Sequence, residues 1–184
     1  MTAIVLFLGI VLLLTNHGTG NRIFASGKTT LQVKAPEEAY LFWKEQGVKG
    51  RVLLLFDNYP HARGLVNYDG EPQLSPSNFV EFSVFKNLVR KIYFIVPDAD
   101  WDEFRQRETI RPIRTVHHLE KGLYIYNLNG IPLIAVTPSS LPHLSEKTLV
   151  FNNNHMFNFA QTLELLSRKK IDSDIIISYQ GRAL

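Results

Sequence analysis

Val52 to Phe56 are five apolar residues in succession, VLLLF, and the run stops at Asp57. A strand with one face in water alternates apolar and polar side chains, whereas an unbroken run fits a strand covered on both faces. The pattern recurs. Ile92 to Val96 ends at Pro97 and Asp98, Leu149 to Phe151 runs into Asn152, Asn153 and Asn154, and Asp174 to Tyr179 contains IIIS. Buried strands of this kind belong to parallel sheets, whose crossover connections cover both faces.

The segments between the runs carry helical signals. Pro36, Glu37 and Glu38 open a helix through Trp43 to Gln46, with acids at the positive end of the dipole and Gly47 as its stop. Ser75 and Pro76 start a second, in which Phe79, Phe82, Phe85 or Lys86, and Val89 share one face as core. Trp101 to Arg107 reads as a short amphipathic helix. A further helix, from about Phe157 to Lys169, has Phe159, Leu163 and Leu166 as its apolar side. Leu31 to Val33 reads as a short strand after a polar linker through Lys28. Asn129 and Gly130, between Leu123–Tyr126 and Ile131–Val136, are the strongest hairpin signal in the chain. The expected fold is therefore α/β, three-layered, with a mainly parallel sheet, helices on both faces and one β-hairpin.

At 184 residues, 45% of them apolar, the chain suits one packed domain, taken as residues 29–184. Twenty basic residues against seventeen acidic give +3, spread without a basic block, so a nucleic-acid partner is not expected. There is no cysteine, which excludes disulfides, thiolate metal sites and a cysteine nucleophile. Ala3 to Leu14 form an apolar run, followed by Thr15, Asn16, His17 and the small residues Gly18 to Gly20. The run is shorter than the ~20 residues a membrane span needs but suits a signal peptide. Residues 1–25 are accordingly read as a signal peptide cut after Gly20 or Ala25. The alternative is an uncleaved anchor, since no basic residue precedes the run, and a third reading is a buried first strand or helix. Either of the first two makes the domain exported, periplasmic or extracellular, or membrane-anchored through residues 3–14.

In a parallel sheet the loops after Phe56, Val96, Val136 and Phe151 share one edge. That would gather Asp57, His61, Asp98, Ser139, Ser140 and Asn152 to His155. Asp57, His61 and His155, with Asn154 as a weak fourth, are a donor set suited to one zinc or iron ion. The competing reading has Asp57 capping backbone amides and His61 in solvent. Asn152 to Asn154 suit either a sugar or peptide ligand or a turn that satisfies its own backbone. His117 and His118 are adjacent, so on a strand they point apart and do not chelate one ion. Ser139 and Ser140 lack the Gly-x-Ser-x-Gly elbow of a serine hydrolase. Asp98, Asp100 and Asp102 lack the glycine and distal glutamate of a calcium loop, and Asp100 reads as a helix cap.

Taken in order, several local patterns resemble the arginase and deacetylase superfamily, nearest to its peptide-arginase-related branch. Pro36, Glu37, Glu38, Ala39 and Trp43 are similar to the His-Asn-Glu-Ala-type turn and Trp-bearing helix with which that branch opens. Asp57, Tyr59 and His61, around Pro60, resemble its strand ending in Asp-x-His-x-Asp. Asn78 and Phe79, followed by KIYFIVPDADW, look like its Asn-Phe helix and Pro-terminated strand. Leu141 and Pro142, then Asn152, Asn154 and Phe157, resemble its Leu-Pro stretch and Asp-x-Asp-x-Phe strand end. The resemblance spans most of Leu31 to Tyr179.

What it implies is a shortened arginase-like sheet and a centre in which two metal ions activate a bridging water against a guanidinium or amide carbon. The chain departs from the ligand set at nearly every position. Pro36 stands at the first His, Tyr59 and His61 replace two ligands beside Asp57, and Asn152 and Asn154 replace both aspartates. Neutral amides do not offset the repulsion of two divalent cations, so the two-metal centre is expected to be lost. The leading expectation is a pseudoenzyme or binding module without a cofactor. It would take a small polar ligand or a protein partner at Asp57, Tyr59, His61, Asn152, Asn154 and His155. The alternative is a C–N hydrolase with a single zinc, manganese or iron ion on Asp57, His61 and His155. A second alternative is a membrane-tethered structural domain.

Overall fold

A computed structural model describes residues 22–25, 28–57, 73–110, 123–128, 130–155 and 157–180. In chain order the strands are β1 (Arg22–Ala25), β2 (Lys28–Val33), β3 (Arg51–Phe56), β4 (Val89–Ile95), β5 (Leu123–Leu128), β6 (Ile131–Val136), β7 (Thr148–Asn153) and β8 (Ser173–Tyr179). The helices are α1 (Glu38–Glu45), α2 (Phe79–Phe85), α3 (Trp101–Ile110), entered through a 3-10 turn at Asp98–Asp100, and α4 (Phe159–Arg168). All the strands join one sheet in the order β1-β2-β8-β7-β3-β4-β6-β5. The six from β2 to β6 are parallel, and β1 and β5 close the two ends antiparallel.

Two cores flank the sheet, because successive side chains on each strand point to opposite faces. Leu53 and Leu55 of β3 face α1, α2 and α3, with Trp43, Phe79 and Trp101 packed over them. Val52, Leu54 and Phe56 face the other way, onto Leu165 and Leu166 of α4 and onto Leu141 and Leu144. The handedness of crossovers explains the split. The chain moves one way across the sheet from β2 to β3, β4 and β6, and the other way from β6 to β7 and β8. Right-handed connections must then leave on opposite faces. The expected three-layer α/β fold is the one observed, including the hairpin between β5 and β6, where Leu128 pairs with Ile131 and Gly130 has φ +83°.

Local chemistry sets the helix ends. After α1, α2 and α4 the residue at positive φ is Gly47, Asn87 or Lys170. In each case the next amide reaches back into the last turn: Val48 to Trp43 O, Leu88 to Ser83 O and Ile171 to Leu166 O. This paired return satisfies carbonyls the helix leaves open.

The structure corrects four boundaries. α2 begins at Phe79 rather than Ser75, because the Asn78 side chain holds a turn: its Oδ1 accepts from Ser75 N at 2.8 Å and its Nδ2 donates to Gln73 O. Phe85 is not core but 56% exposed, and Val89 belongs to β4. The expected linker before Lys28 contains β1, so cleavage after Ala25 would remove a strand that cleavage after Gly20 would keep. Finally, β7 does not stop at Phe151. It continues through Asn152 and Asn153, which are sheet residues rather than loop.

Candidate functional site

The carboxyl edge is centred on β3 and β7, whose connections depart to opposite faces. An open parallel sheet leaves a crevice at such a switch point. Phe56 is in register with Asn152, Asn152 with Ser178, and Asn153 with both Tyr179 and, through it, Val33 of β2. Strand alternation therefore divides the edge into two polar sets.

The first set faces α4. Asn152 is wholly buried. Its Nδ2 donates to Asn154 Oδ1 at 2.6 Å and to Phe157 O at 3.0 Å, and its Oδ1 accepts from Thr162 Oγ1 at 2.5 Å. Asn154 in turn donates from Nδ2 to Ser178 Oγ at 2.9 Å, while its backbone N–H donates to Tyr179 O. Asn158 caps α4 through the amide of Ala160, and Phe157 meets Phe56 edge to face at 5.2 Å. These contacts stitch the end of β7 to the start of α4. The Asn152 amide is committed to that task, and the Asn154 amide is divided between Asn152 and Ser178 of β8.

The second set faces α1 and α2. Asp57 is buried, with Asn153 Nδ2 donating to its Oδ1 at 3.1 Å. Asn153 Oδ1 accepts from the backbone N–H of His155 at 3.1 Å, so one side chain joins the β3 end to the following turn. Burial raises the Tyr179 phenol above its ordinary pKa of 10.0, and the negative charges of Asp57 and then Glu37 push it further the same way. Two carboxylates thus act on one phenol. Glu37, at the entry to α1, has its Oε2 buried with no hydrogen-bond partner among the described residues.

A third group lies toward β4 and β6. Ser139 Oγ donates to Asp98 Oδ1 at 2.8 Å, Thr137 Oγ1 lies 2.8 Å from Ser139 Oγ, and Lys169 Nζ donates to the carbonyls of Ser139 and Leu141. Asp98 and Ser139 therefore meet, as their strand-end positions predict.

Of the candidate residues, Asp57, Asn152, Asn154 and His155 stand on this edge, with His155 exposed in the turn after β7. Tyr59 and His61, and with them the convergence of Asp57, His61 and His155, lie outside the described residues, as do His117 and His118. Among the described residues no three His, Asp or Glu side chains form a group able to hold a metal ion, and no helix is long and apolar enough to cross a membrane. Residue-type reasoning named Asn153 only as one of the run Asn152 to Asn154, without separating it from its neighbours, and missed Tyr179 and Glu37 as members of the site. Period-two alternation was the available signal: it puts Asn153, not Asn152, on the side of Asp57. No family model, curated protein or solved structure matches the chain.

Proposed function

We propose that this chain is an exported α/β binding domain, arginase-like in layout, whose carboxyl edge takes a small polar ligand instead of running two-metal hydrolysis. The observation that carries the reading is the amide of Asn152. At a position where the resemblance would have a metal-binding aspartate, a neutral side chain spends its Nδ2 and Oδ1 on Asn154, Phe157 and Thr162. Asn154, at the second such position, is equally committed. These residues do not fit a two-metal centre, which needs several charged oxygens turned toward the ions.

The side facing α1 is suited to binding. Asp57 and Glu37 direct negative potential onto the neighbourhood of Tyr179, which favours a ligand with a positively charged group beside an aromatic ring. Export rests on the apolar run from Ala3 to Leu14. A second reading keeps one metal on Asp57, His61 and His155, in a C–N hydrolase. Asn153, bonded both to Asp57 and to the backbone of His155, favours it by linking two of those three residues.

Elemental analysis of the purified chain, followed by zinc and manganese titration, separates the two. The binding-domain reading expects no stoichiometric metal. One equivalent of metal, lost in both His61→Ala and His155→Ala, would replace it with the single-metal enzyme.

A further inference from the structure

We infer that the cleft between α4 and the turns after β4 and β6 is a second binding site, for a small zwitterion with an aromatic side chain. The cleft encloses about 290 Å³, at the small end of the range for ligand sites. It opens on the α4 face of the sheet, away from the row formed by Asp57, Asn153 and Tyr179. The inference is independent of the function proposed above.

Its floor is apolar and partly aromatic. Phe56, Phe157 and Leu165 supply it, and all three are buried. One wall is formed by Pro97, Asp98 and Pro138, the other by Glu164 and Arg168 on the outer side of α4. The walls are joined. Ser139 orients the Asp98 carboxylate, and Lys169, one residue past α4, donates to the carbonyls of Ser139 and Leu141. The width of the cleft and the direction of Asp98 are therefore set before any ligand arrives, which lowers the ordering cost of binding.

The charges select the ligand class. Glu164 and Arg168 are one helical turn apart, yet they form no ion pair with each other or with another described residue. A guanidinium beside an apolar floor matches a carboxylate in a two-pronged arrangement. The carboxylates of Asp98 and Glu164, on opposing walls, match an ammonium. A flat ring over Phe157 and Leu165 fills the remaining space with favourable edge contacts. An aromatic α-amino acid carries these groups on one small frame.

Calorimetric titration of the full chain with L-phenylalanine tests the inference, with phenethylamine and 3-phenylpropanoate as probes that each keep only one charge. L-Phenylalanine is expected to bind at least about tenfold more tightly than either single-charge probe. Arg168→Gln should weaken L-phenylalanine by about tenfold and leave phenethylamine unchanged, since the removed charge serves only the carboxylate. Glu164→Gln should weaken phenethylamine and leave 3-phenylpropanoate unchanged. Both side chains are exposed, so neither variant threatens the fold. Absence of binding, equal affinity for the three probes, or indifference of L-phenylalanine to both substitutions would overturn it.

Discussion

Asn152 and Asn153 are neighbours in sequence, in the same strand and of the same chemistry, yet they belong to different parts of the molecule. Asn152 turns toward α4, is wholly buried and makes three side-chain hydrogen bonds that close the β7–α4 connection. Asn153 turns toward α1, keeps some exposure, and holds a carboxylate and one backbone amide. The difference teaches that a polar strand end is not one site but two, sorted by the pleat. Around the end of β7 the α4 side consists of neutral groups that satisfy one another, where a missing partner is costly. On the α1 side sit the carboxylates of Asp57 and Glu37, both of which push the Tyr179 phenol upward.

The largest expected effect comes from breaking the α4 side. Asn152→Ala removes three hydrogen bonds and strands the Phe157 carbonyl and the Thr162 hydroxyl in a buried place. Unfolding in urea should show a loss on the order of 3 kcal/mol. Asn152→Asp, which keeps the shape, should destabilise as well at neutral pH, because it sets a buried charge against the Phe157 carbonyl and Asn154 Oδ1. A loss below about 1 kcal/mol in both variants would mean that this side is not the structural half of the edge.

Asn153→Ala is the matched experiment on the other side, and a smaller change is expected. One bond to Asp57 and one from the His155 amide are lost at a partly exposed position, so stability should fall by about 1 kcal/mol. Its main consequence is to remove the Asn153 amide from the Asp57 carboxylate. If Asn153→Ala destabilises as much as Asn152→Ala, the division of the edge into a structural and a charged half fails.

Much of the fold was legible because the strands announce themselves. Runs such as VLLLF and IYFIV admit few placements other than the middle of a covered parallel sheet, and Asn129–Gly130 admits little besides a tight hairpin. The boundaries that went astray share a cause. Asn152 and Asn153 read as loop residues by propensity, yet pairing with Ser178 and Tyr179 carries the ladder through them. Phe85 fits the helical stripe of Phe79 and Phe82, but α2 ends there and leaves it outside the core. The candidate site was legible only as an edge. Which residues share a side depends on register, and register depends on a neighbouring strand that lies far off in sequence. Tyr179 enters the site because β8 lies beside β7, a fact no local pattern around Tyr179 contains.

The smallest effect is also the most direct probe of the charged half. The Tyr179 phenol is raised above 10.0 in the folded chain, first by burial, then by Asp57, then by Glu37. Below pH 10 the phenol is protonated in both folded and unfolded chains and adds no pH dependence. Above it the unfolded chain releases this proton while the folded chain retains it, so the folded state binds more protons and stability falls as pH rises toward the folded pKa. Tyr40, raised by burial alone, contributes in the same direction but without Asp57 or Glu37 among its causes. Asp57→Asn should therefore move one late tyrosine back toward 10.0 in an absorbance titration and leave the other in place, and Tyr179→Phe should remove the one that moves. Should Asp57→Asn shift neither phenol, Asp57 and Tyr179 do not share an electrostatic site, and the α1 side loses its claim to be the binding half of the edge.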